Sequence, residues 1–302
     1  MTGKNGKKKT GWRRSDEYER IVGAMTFREA IEKGEKSLKY VGIMDAKTDA
    51  WLLLTMACKI DHTYYYMHMD EDMTQEQAHE FASLIDKRCE RIPLQYITGE
   101  QIFMGLPFAV NSNVLIPRQD TETLVEEALK IVKPEMKILD MCTGSGCVLI
   151  SILKNVVNVE GYGYDISKQA IIVAKENAKK NGVTATFEHS DLFENVSEKF
   201  DIIVSNPPYI RTDELHTLMP EVAEFEPRIA LDGKEDGLYY YRKMIAECTD
   251  YLKLGGYLLF EIGHDQGRAV SDMMTYAGFE KVNVVKDLAG NDRVVIGEKN
   301  YV

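Results

Sequence analysis

The sequence predicts an α/β protein: a mostly parallel sheet with helices on both faces, one antiparallel strand, and a small all-α bundle ahead of it. Three observations predict this. From residue 137 onward, short apolar runs rich in β-branched residues alternate with helical segments. The last two runs, Val282-Asn283-Val284-Val285 and Val294-Val295-Ile296, are joined by a link so short that they must be antiparallel neighbours. Before residue 92 the apolar residues follow a helical period only.

At 302 residues the chain has room for two domains. Its 44% hydrophobic and 28% charged content is that of a soluble globular protein, and no apolar run approaches a bilayer span. Five cysteines without paired close spacing fit a reducing cytoplasm better than a disulfide framework. A formal net charge of −11 disfavours a large nucleic-acid footprint, because phosphate binding needs a basic surface. The one basic cluster, Lys4, Lys7, Lys8, Lys9, Arg13 and Arg14, lies in a stretch 1–25 expected to be a disordered tail without the apolar core of a secretory signal.

Taken in order, ordered structure is expected from Thr26, which forms a capping-box pattern with Glu29 ahead of the stripe Phe27, Ala30, Ile31 and Leu38. A second helix starts near Asp45 and is apolar nearly all round through Trp51, Leu52, Leu53, Leu54, Met56 and Ala57, so it is expected to be buried. A third begins at Thr74, capped reciprocally by Gln77, and runs towards Arg91. Together they give a bundle over 26–92, either a packing module or a surface that selects a macromolecular partner. From Pro93 the helical period breaks; Tyr96 to Gly99 and Phe103 to Phe108 read as turns and short strands, a hairpin linker over 93–113. Asp120 is the expected N-cap of a helix through Leu124, Ala128, Leu129 and Ile131. Strands are expected at 137–140, 161–165, 185–189, 201–205 and 257–262, with helices at 167–181 and 238–252. The α/β domain is placed at 114–302.

The stretch Asn206-Pro207-Pro208-Tyr209 follows the strand at 201–205. Two prolines cannot donate to a sheet ladder, so the strand must stop there. The corner stands at the carboxyl end of a parallel strand, where ligands bind in open α/β sheets. The Asn206 side-chain oxygen and the Pro207 carbonyl suit the two hydrogens of a planar NH2 group, and Tyr209 can stack on its face. Asn-Pro pairs also mark ordinary turns, so the corner alone does not establish chemistry.

The run Ile138 to Gly146 is a strand entering a glycine-bearing turn: Cys142, Thr143, Gly144, Ser145 and Gly146. It lacks the Lys-Ser/Thr of a triphosphate loop and the third glycine of a dinucleotide loop. Asp165, about 20 residues further on, can accept both hydroxyls of a ribose. Asp191, with Leu192 and Phe193 beside it, ends the third strand and can accept from an adenine amino group. Each aspartate could instead cap a helix. Three acidic strand ends in register, with the Asn-Pro corner at the fourth, favour a nucleoside site without a phosphate cradle. Beside an NH2-binding corner, that suggests S-adenosylmethionine. Cys142 and Cys147 have neither metal spacing nor a histidine partner, and no metal is expected.

Several segments together resemble one family, the HemK-type release-factor glutamine methyltransferases. They are Gln95 to Gly99, Leu115-Ile116-Pro117-Arg118-Gln119-Asp120-Thr121-Glu122, Asp140 to Gly146, Asn206 to Ile210, Phe225-Glu226-Pro227-Arg228, Glu235-Asp236-Gly237, Glu261-Ile262-Gly263 and Asp287 to Val295. The likeness begins at about Thr26 and departs at Gln119, often proline in the family, and at Leu192, tryptophan in some members. It implies a Rossmann-like class I methyltransferase fold and N5-methylation of the glutamine in the Gly-Gly-Gln motif of class 1 peptide-chain release factors. S-adenosylmethionine is the implied cofactor, leaving as S-adenosylhomocysteine. By the same resemblance, 143–146 line the methionine and ribose, Asp165 holds the ribose, Asp191 and Leu192 flank the adenine, and Arg118 reaches the cofactor carboxylate or braces the domain junction. Asn206, Pro207, Pro208 and Tyr209 hold the substrate amide, and Phe103 closes the pocket. A monomer with release factors as partners is expected, with neither membrane nor nucleic acid.

Two other readings stay open on sequence grounds. An N6-adenine methyltransferase needs the same corner, but the acidic balance and the lack of a basic insert count against it. A non-catalytic adaptor would use the bundle and keep the sheet as scaffold, which the intact glycine loop with Asp165 argues against. Glu226, Arg228 and 235–237 lie on a stretch long enough for a flap, either a partner-contacting lid or a salt-bridged loop.

Overall fold

The computed structural model describes residues 25–300, and the basic cluster ahead of them lies outside the described residues. Two compact units divide between Thr98 and Gly99.

Among the described residues the first unit holds five helices: α1 (Phe27–Tyr40), α2 (Ala46–Cys58), α3 (His62–His68), α4 (Gln75–Cys89) and α5 (Leu94–Thr98). Both capping boxes form: Thr26 Oγ1 accepts from Glu29 N–H, and Thr74 Oγ1 from Gln77 N–H, while Glu29 and Gln77 reach back to the cap amides. Each such cap stabilises a helix end by about 1 kcal/mol. Gly34 lets α1 approach α4, since a Cβ there would lie 2.8 Å from Phe81 Cζ. A buried ion pair, Arg88 Nε to Asp49 Oδ2 at 2.7 Å, ties α4 to α2.

Two local expectations are corrected here. Helix α2 is not buried all round. It sinks Ala46, Ala50, Leu53 and Leu54 into the core while Leu52 and Met56 stand exposed, and Trp51 stacks on His62 of the unforeseen α3 at 4.1 Å. The segment around Tyr96 is a helical turn, α5, not a strand. Pro93, which has no N–H to lose, opens it and offers its carbonyl to Tyr96 and Ile97.

In the second unit β1 (Glu100–Phe103) and β2 (Leu106–Ala109) pair as an antiparallel hairpin across Met104 and Gly105, both at positive φ as a two-residue turn requires. Then come α6 (Glu122–Ile131), β3 (Lys137–Met141), α7 (Cys147–Asn155), β4 (Glu160–Asp165), α8 (Lys168–Asn181), β5 (Thr186–His189) and β6 (Phe200–Ser205). The unit continues with α9 (Pro220–Phe225), α10 (Tyr239–Glu247), β7 (Leu252–Glu261), α11 (Gly267–Tyr276), β8 (Glu280–Lys286) and β9 (Asp292–Glu298). Strand order in the sheet is β5-β4-β3-β6-β7-β9-β8, with β9 running opposite to the other six strands.

Alternation along each central strand fills two cores. Ile138, Ile202, Val204 and Leu259 face α6, α7 and α8; Leu139, Met141, Ile203, Leu258 and Phe260 face α10 and α11. Burying each such side chain stabilises the fold by about 1.5–3 kcal/mol. Because the chain winds outward from β3 to β5 and then returns to β6 on the other side, order reverses between β3 and β6, and their carboxyl ends open a crevice.

One cap differs from expectation. Asp120 does not cap α6; a 3-10 turn, Gln119–Thr121, precedes that helix, and the Asp120 carboxylate instead meets Arg293 Nη2 at 3.1 Å.

Candidate active site

The crevice at β3 and β6 opens into a cavity of about 980 Å³, counted out to its mouth. Its floor is the loop 142–145 after β3, and 165–167 and 190–192 line it beyond β4 and β5. Asn206 and Pro208 line it beyond β6, and Pro227, Ile229, Ala230 and Tyr240 complete the wall.

The glycine loop is held from several sides. Gly146 takes φ +78, and a Cβ there would stand 3.0 Å from Ile150 Cδ1 and 3.2 Å from Ala174 Cβ, so only glycine lets α7 start against α8. Thr143 Oγ1 donates to Asp140 Oδ2 at 2.6 Å, and Gly144 N–H donates to Asp165 Oδ2 at 2.9 Å. Asn177 Nδ2 donates to the Ser145 carbonyl at 2.9 Å and to Ala109 O at 3.0 Å, while its Oδ1 accepts from Ala109 N–H. That one side chain fastens the hairpin to the loop.

The three aspartates are not in register. Asp140 pairs across β4 with Gly163, Asp165 with His189, and Asp191 lies two residues past β5. Asp140 is fully buried beneath the loop, and burial pushes its carboxyl up to about 7. Asp165 accepts the amides of Gly144 and Ser167, one on each oxygen, which leaves lone pairs for a ligand. Burial raises its pKa. Asp191 is exposed at the rim, and Leu192 is buried at φ +48 in a turn pinned by Ser190 Oγ on the Leu192 carbonyl at 2.6 Å. Burial also raises the Cys142 thiol far above its ordinary range, so it is protonated. Neither lysine nor histidine lines the cavity among the described residues. Its titratable side chains are those aspartates, two cysteines, Tyr240 and Arg118, whose guanidinium is paired with the buried Glu226. The field of such a site favours a cationic ligand.

At the corner, Asn206 is half-buried and its Nδ2 donates to Thr121 Oγ1 at 3.3 Å. Among the described residues nothing donates to Asn206 Oδ1 or to the Pro207 carbonyl. Pro207 and Tyr209 lie outside the cavity lining: Tyr209 points its hydroxyl at Glu261 Oε1, 3.5 Å away, and its carbonyl accepts from Gln266 Nε2 at 3.0 Å. Gly146 is also outside the lining, beneath the loop. Phe103 is placed elsewhere altogether. It is 1% exposed and packs edge-on against Phe108 in the core, so it closes no pocket here.

Sequence reasoning gave no role to several residues that hold the site: Thr121, Asn177, Tyr240, Glu261 and Gln266. Buried polar side chains leave no periodic signal, and only tertiary neighbours reveal what they hold.

The segment 211–237 folds back on its own base. Gly233 N–H donates to the Ile210 carbonyl at 2.7 Å and Thr212 N–H to Lys234 O at 3.0 Å. Glu226 joins it to Arg118 and to the Ile116 amide, which explains why the Pro-Arg and Phe-Glu-Pro-Arg segments occur together.

Comparison with known proteins decides the family. A release factor glutamine methyltransferase of Geobacter sulfurreducens is 39% identical over 273 residues, which span 90% of this chain and 96% of that one. The chain belongs to the release factor glutamine methyltransferase family. A second relative of that name, from Thermodesulfovibrio yellowstonii, is 42% identical over 258 residues, 83% of this chain and 92% of its own. The PrmC N-terminal domain family matches residues 29–99 of the enzyme, and the Methyltransferase small domain family matches 119–223. A solved methyltransferase from Pyrococcus furiosus shares the fold with a TM-score of 0.50 at 16% identity, covering 65% of this chain and 90% of its own. The fold is thus the class I methyltransferase sheet that the sequence implied. No helix among the described residues is long and apolar enough to cross a membrane, and no cluster of three metal-binding side chains occurs among them.

Proposed function

We propose that the protein methylates the side-chain amide nitrogen of the glutamine in the Gly-Gly-Gln motif of class 1 release factors, using S-adenosylmethionine. One observation carries this reading. The Asn206 amide is anchored through its nitrogen on Thr121, so its oxygen is left to accept from an NH2 group at the carboxyl end of β6.

The residues present fit the cofactor. Asp165 keeps unused lone pairs at the wall of the cavity, where a ribose diol would be held. Leu192 and Tyr240 offer apolar flanks for an adenine, with Asp191 at the rim for its amino group. Gly144 has no atom within 4 Å of where a Cβ would stand, so backbone can meet the methionine portion closely. Thr143 and Ser145 complete that floor, with Cys142 beneath and Arg118 at the edge. When bound, the cofactor supplies a methyl on an electron-poor sulfonium carbon.

The chain's own task is alignment. A glutamine nitrogen is a poor nucleophile because its lone pair is delocalised into the carbonyl. Asn206 Oδ1 and the Pro207 carbonyl accept its two hydrogens and aim that lone pair into the cavity. Holding the two reactants in line contributes up to about 7–11 kcal/mol in ideal cases. Neither lysine nor histidine lines the cavity among the described residues, so the proton leaves only once nitrogen has become cationic. The same two acceptors reject glutamate, which has no NH2 to donate, by about 10⁴ or more. Tyr209, drawn back towards Glu261, braces the corner from behind.

The bundle at 26–92 is read as the partner-selecting domain, the hairpin region 93–113 as its link to the domain at 114–302, and the protein as a cytoplasmic monomer. Incubation with isotopically labelled cofactor, release factor and DNA, followed by peptide mass spectrometry, tests the reading. A label on the motif glutamine supports it; a label on adenine, or none, refutes it.

A further inference from the structure

The planar amide of Asn206 has nearly the same shape after a half-turn about χ2, which exchanges its oxygen and its NH2. Packing alone therefore does not decide which end faces the substrate; the hydrogen-bond partner does. That partner, Thr121 Oγ1 at 3.3 Å, is a hydroxyl, and a hydroxyl both donates and accepts. It enforces one orientation only if its own hydrogen is committed elsewhere.

Behind Thr121 stands Glu261, the last residue of β7, 1% exposed. Its carboxyl faces the hydroxyls of Thr121 and Tyr209. Glu261 Oε2 is buried with no hydrogen-bond partner among the described residues, an open acceptor beside Thr121. A carboxylate only accepts, so the Thr121 hydrogen turns to it and the Thr121 lone pairs turn to Asn206 Nδ2. Building on the proposed amide methylation, we infer that Thr121, backed by Glu261, is a positioning residue. It locks the Asn206 side chain with its oxygen towards the substrate NH2.

The groups around Glu261 are the Arg293 guanidinium on β9, Asp120 and Thr121 ahead of α6, Tyr209 of the corner, Tyr241 of α10 and Cys147 of α7. Burial pushes the Glu261 carboxyl up to about 7, against the pull of Thr121 and Arg293. Once protonated, Glu261 can donate to Thr121, which frees the Thr121 hydrogen to turn towards Asn206 and unlocks the amide. Turnover should therefore fall as pH drops through about 7.

The test compares Thr121→Val, which keeps the shape and removes the hydroxyl, with Thr121→Ser, which keeps the hydroxyl. Thr121→Val should lower kcat on a release-factor peptide about tenfold, the size of one ordinary hydrogen bond. Its dissociation constant for S-adenosylhomocysteine should stay unchanged, and Thr121→Ser should restore most of the rate. Glu261→Gln should lower kcat severalfold and flatten the acid limb, and it serves alone if the valine variant does not fold. The Asn206 NH2 resonance, assigned in ¹⁵N-asparagine-labelled protein, should move in Thr121→Val and stay in Thr121→Ser. Equal rates in valine and wild-type protein, equal losses for valine and serine, or an unmoved resonance would overturn the inference. A moved resonance in a protein that leaves glutamine unmethylated would refute the reaction and keep the positioning.

Discussion

Replacing Gly237 by alanine should damage catalysis from a residue that never lines the cavity. Gly237 sits at φ +72, and a Cβ there would stand 2.4 Å from the Tyr209 carbonyl oxygen and 2.7 Å from Gln266 Nε2. Ordinary contacts begin near 3.4 Å, so the corner must yield by about 1 Å, a displacement that can cost about a hundredfold in rate. The left-handed backbone adds about 1–2 kcal/mol and the overpacking about 1–3. Their sum, about 2–5 kcal/mol, lowers Tm by about 4–20 °C in a unit of this size. Gly144→Ala is the comparison: φ is +55, but nothing lies within 4 Å, so only the conformational cost applies to its stability. Calorimetry of both variants, with single-turnover methyl transfer by Gly237→Ala, measures each part. Turnover by Gly237→Ala within threefold of wild type would refute the idea that Gln266 and the 235–237 turn hold the corner in place.

Asp165→Asn should raise the dissociation constant for S-adenosylhomocysteine at least tenfold and lower Tm by a few degrees, because the amide oxygen accepts only one of the Gly144 and Ser167 N–H groups and its NH2 faces the other; isothermal titration and scanning calorimetry check this. Stability should depend on pH in an unusual direction near neutrality. Burial raises both Asp140 and Glu261 to about 7, so the native state keeps protons that the unfolded chain has released from about pH 4 upward. Stability from these two groups is therefore greatest at the acid end of that window and declines as pH rises to about 7, by at most about 4 kcal/mol for Asp140 and about 3 kcal/mol for Glu261. Urea unfolding at pH 5.5 and 8 reads the slope, and Asp140→Asn should reduce it; a slope of opposite sign in both proteins would contradict the burial argument.

Much of the fold was legible because it rests on local rules. The capping boxes at Thr26 and Thr74, the alternation from 137 onward and the short link between β8 and β9 each restrict the backbone within a few residues. The corner and the glycine loop were legible for the same reason, since proline and glycine dictate backbone conformation on their own. What stayed hidden depends on distant neighbours. Asp120 has the residue type of a cap, but Arg293, brought alongside by β9, takes its charge. Phe103 has the look of a pocket ring, yet the hairpin turns it against Phe108. Thr121 and Glu261 carried no role in sequence because one hydroxyl and one carboxyl mean little until the sheet sets them behind Asn206. The second helix read as buried because apolar side chains around a helix do not say how many neighbours it has.

The most direct measurement pairs the turnover of Asn206→Ala with its cofactor affinity. If the corner aims the substrate nitrogen, kcat on a release-factor peptide should fall by several orders of magnitude while S-adenosylhomocysteine binds within a few fold of wild type. Near-normal methylation of the motif glutamine by that variant would contradict the account.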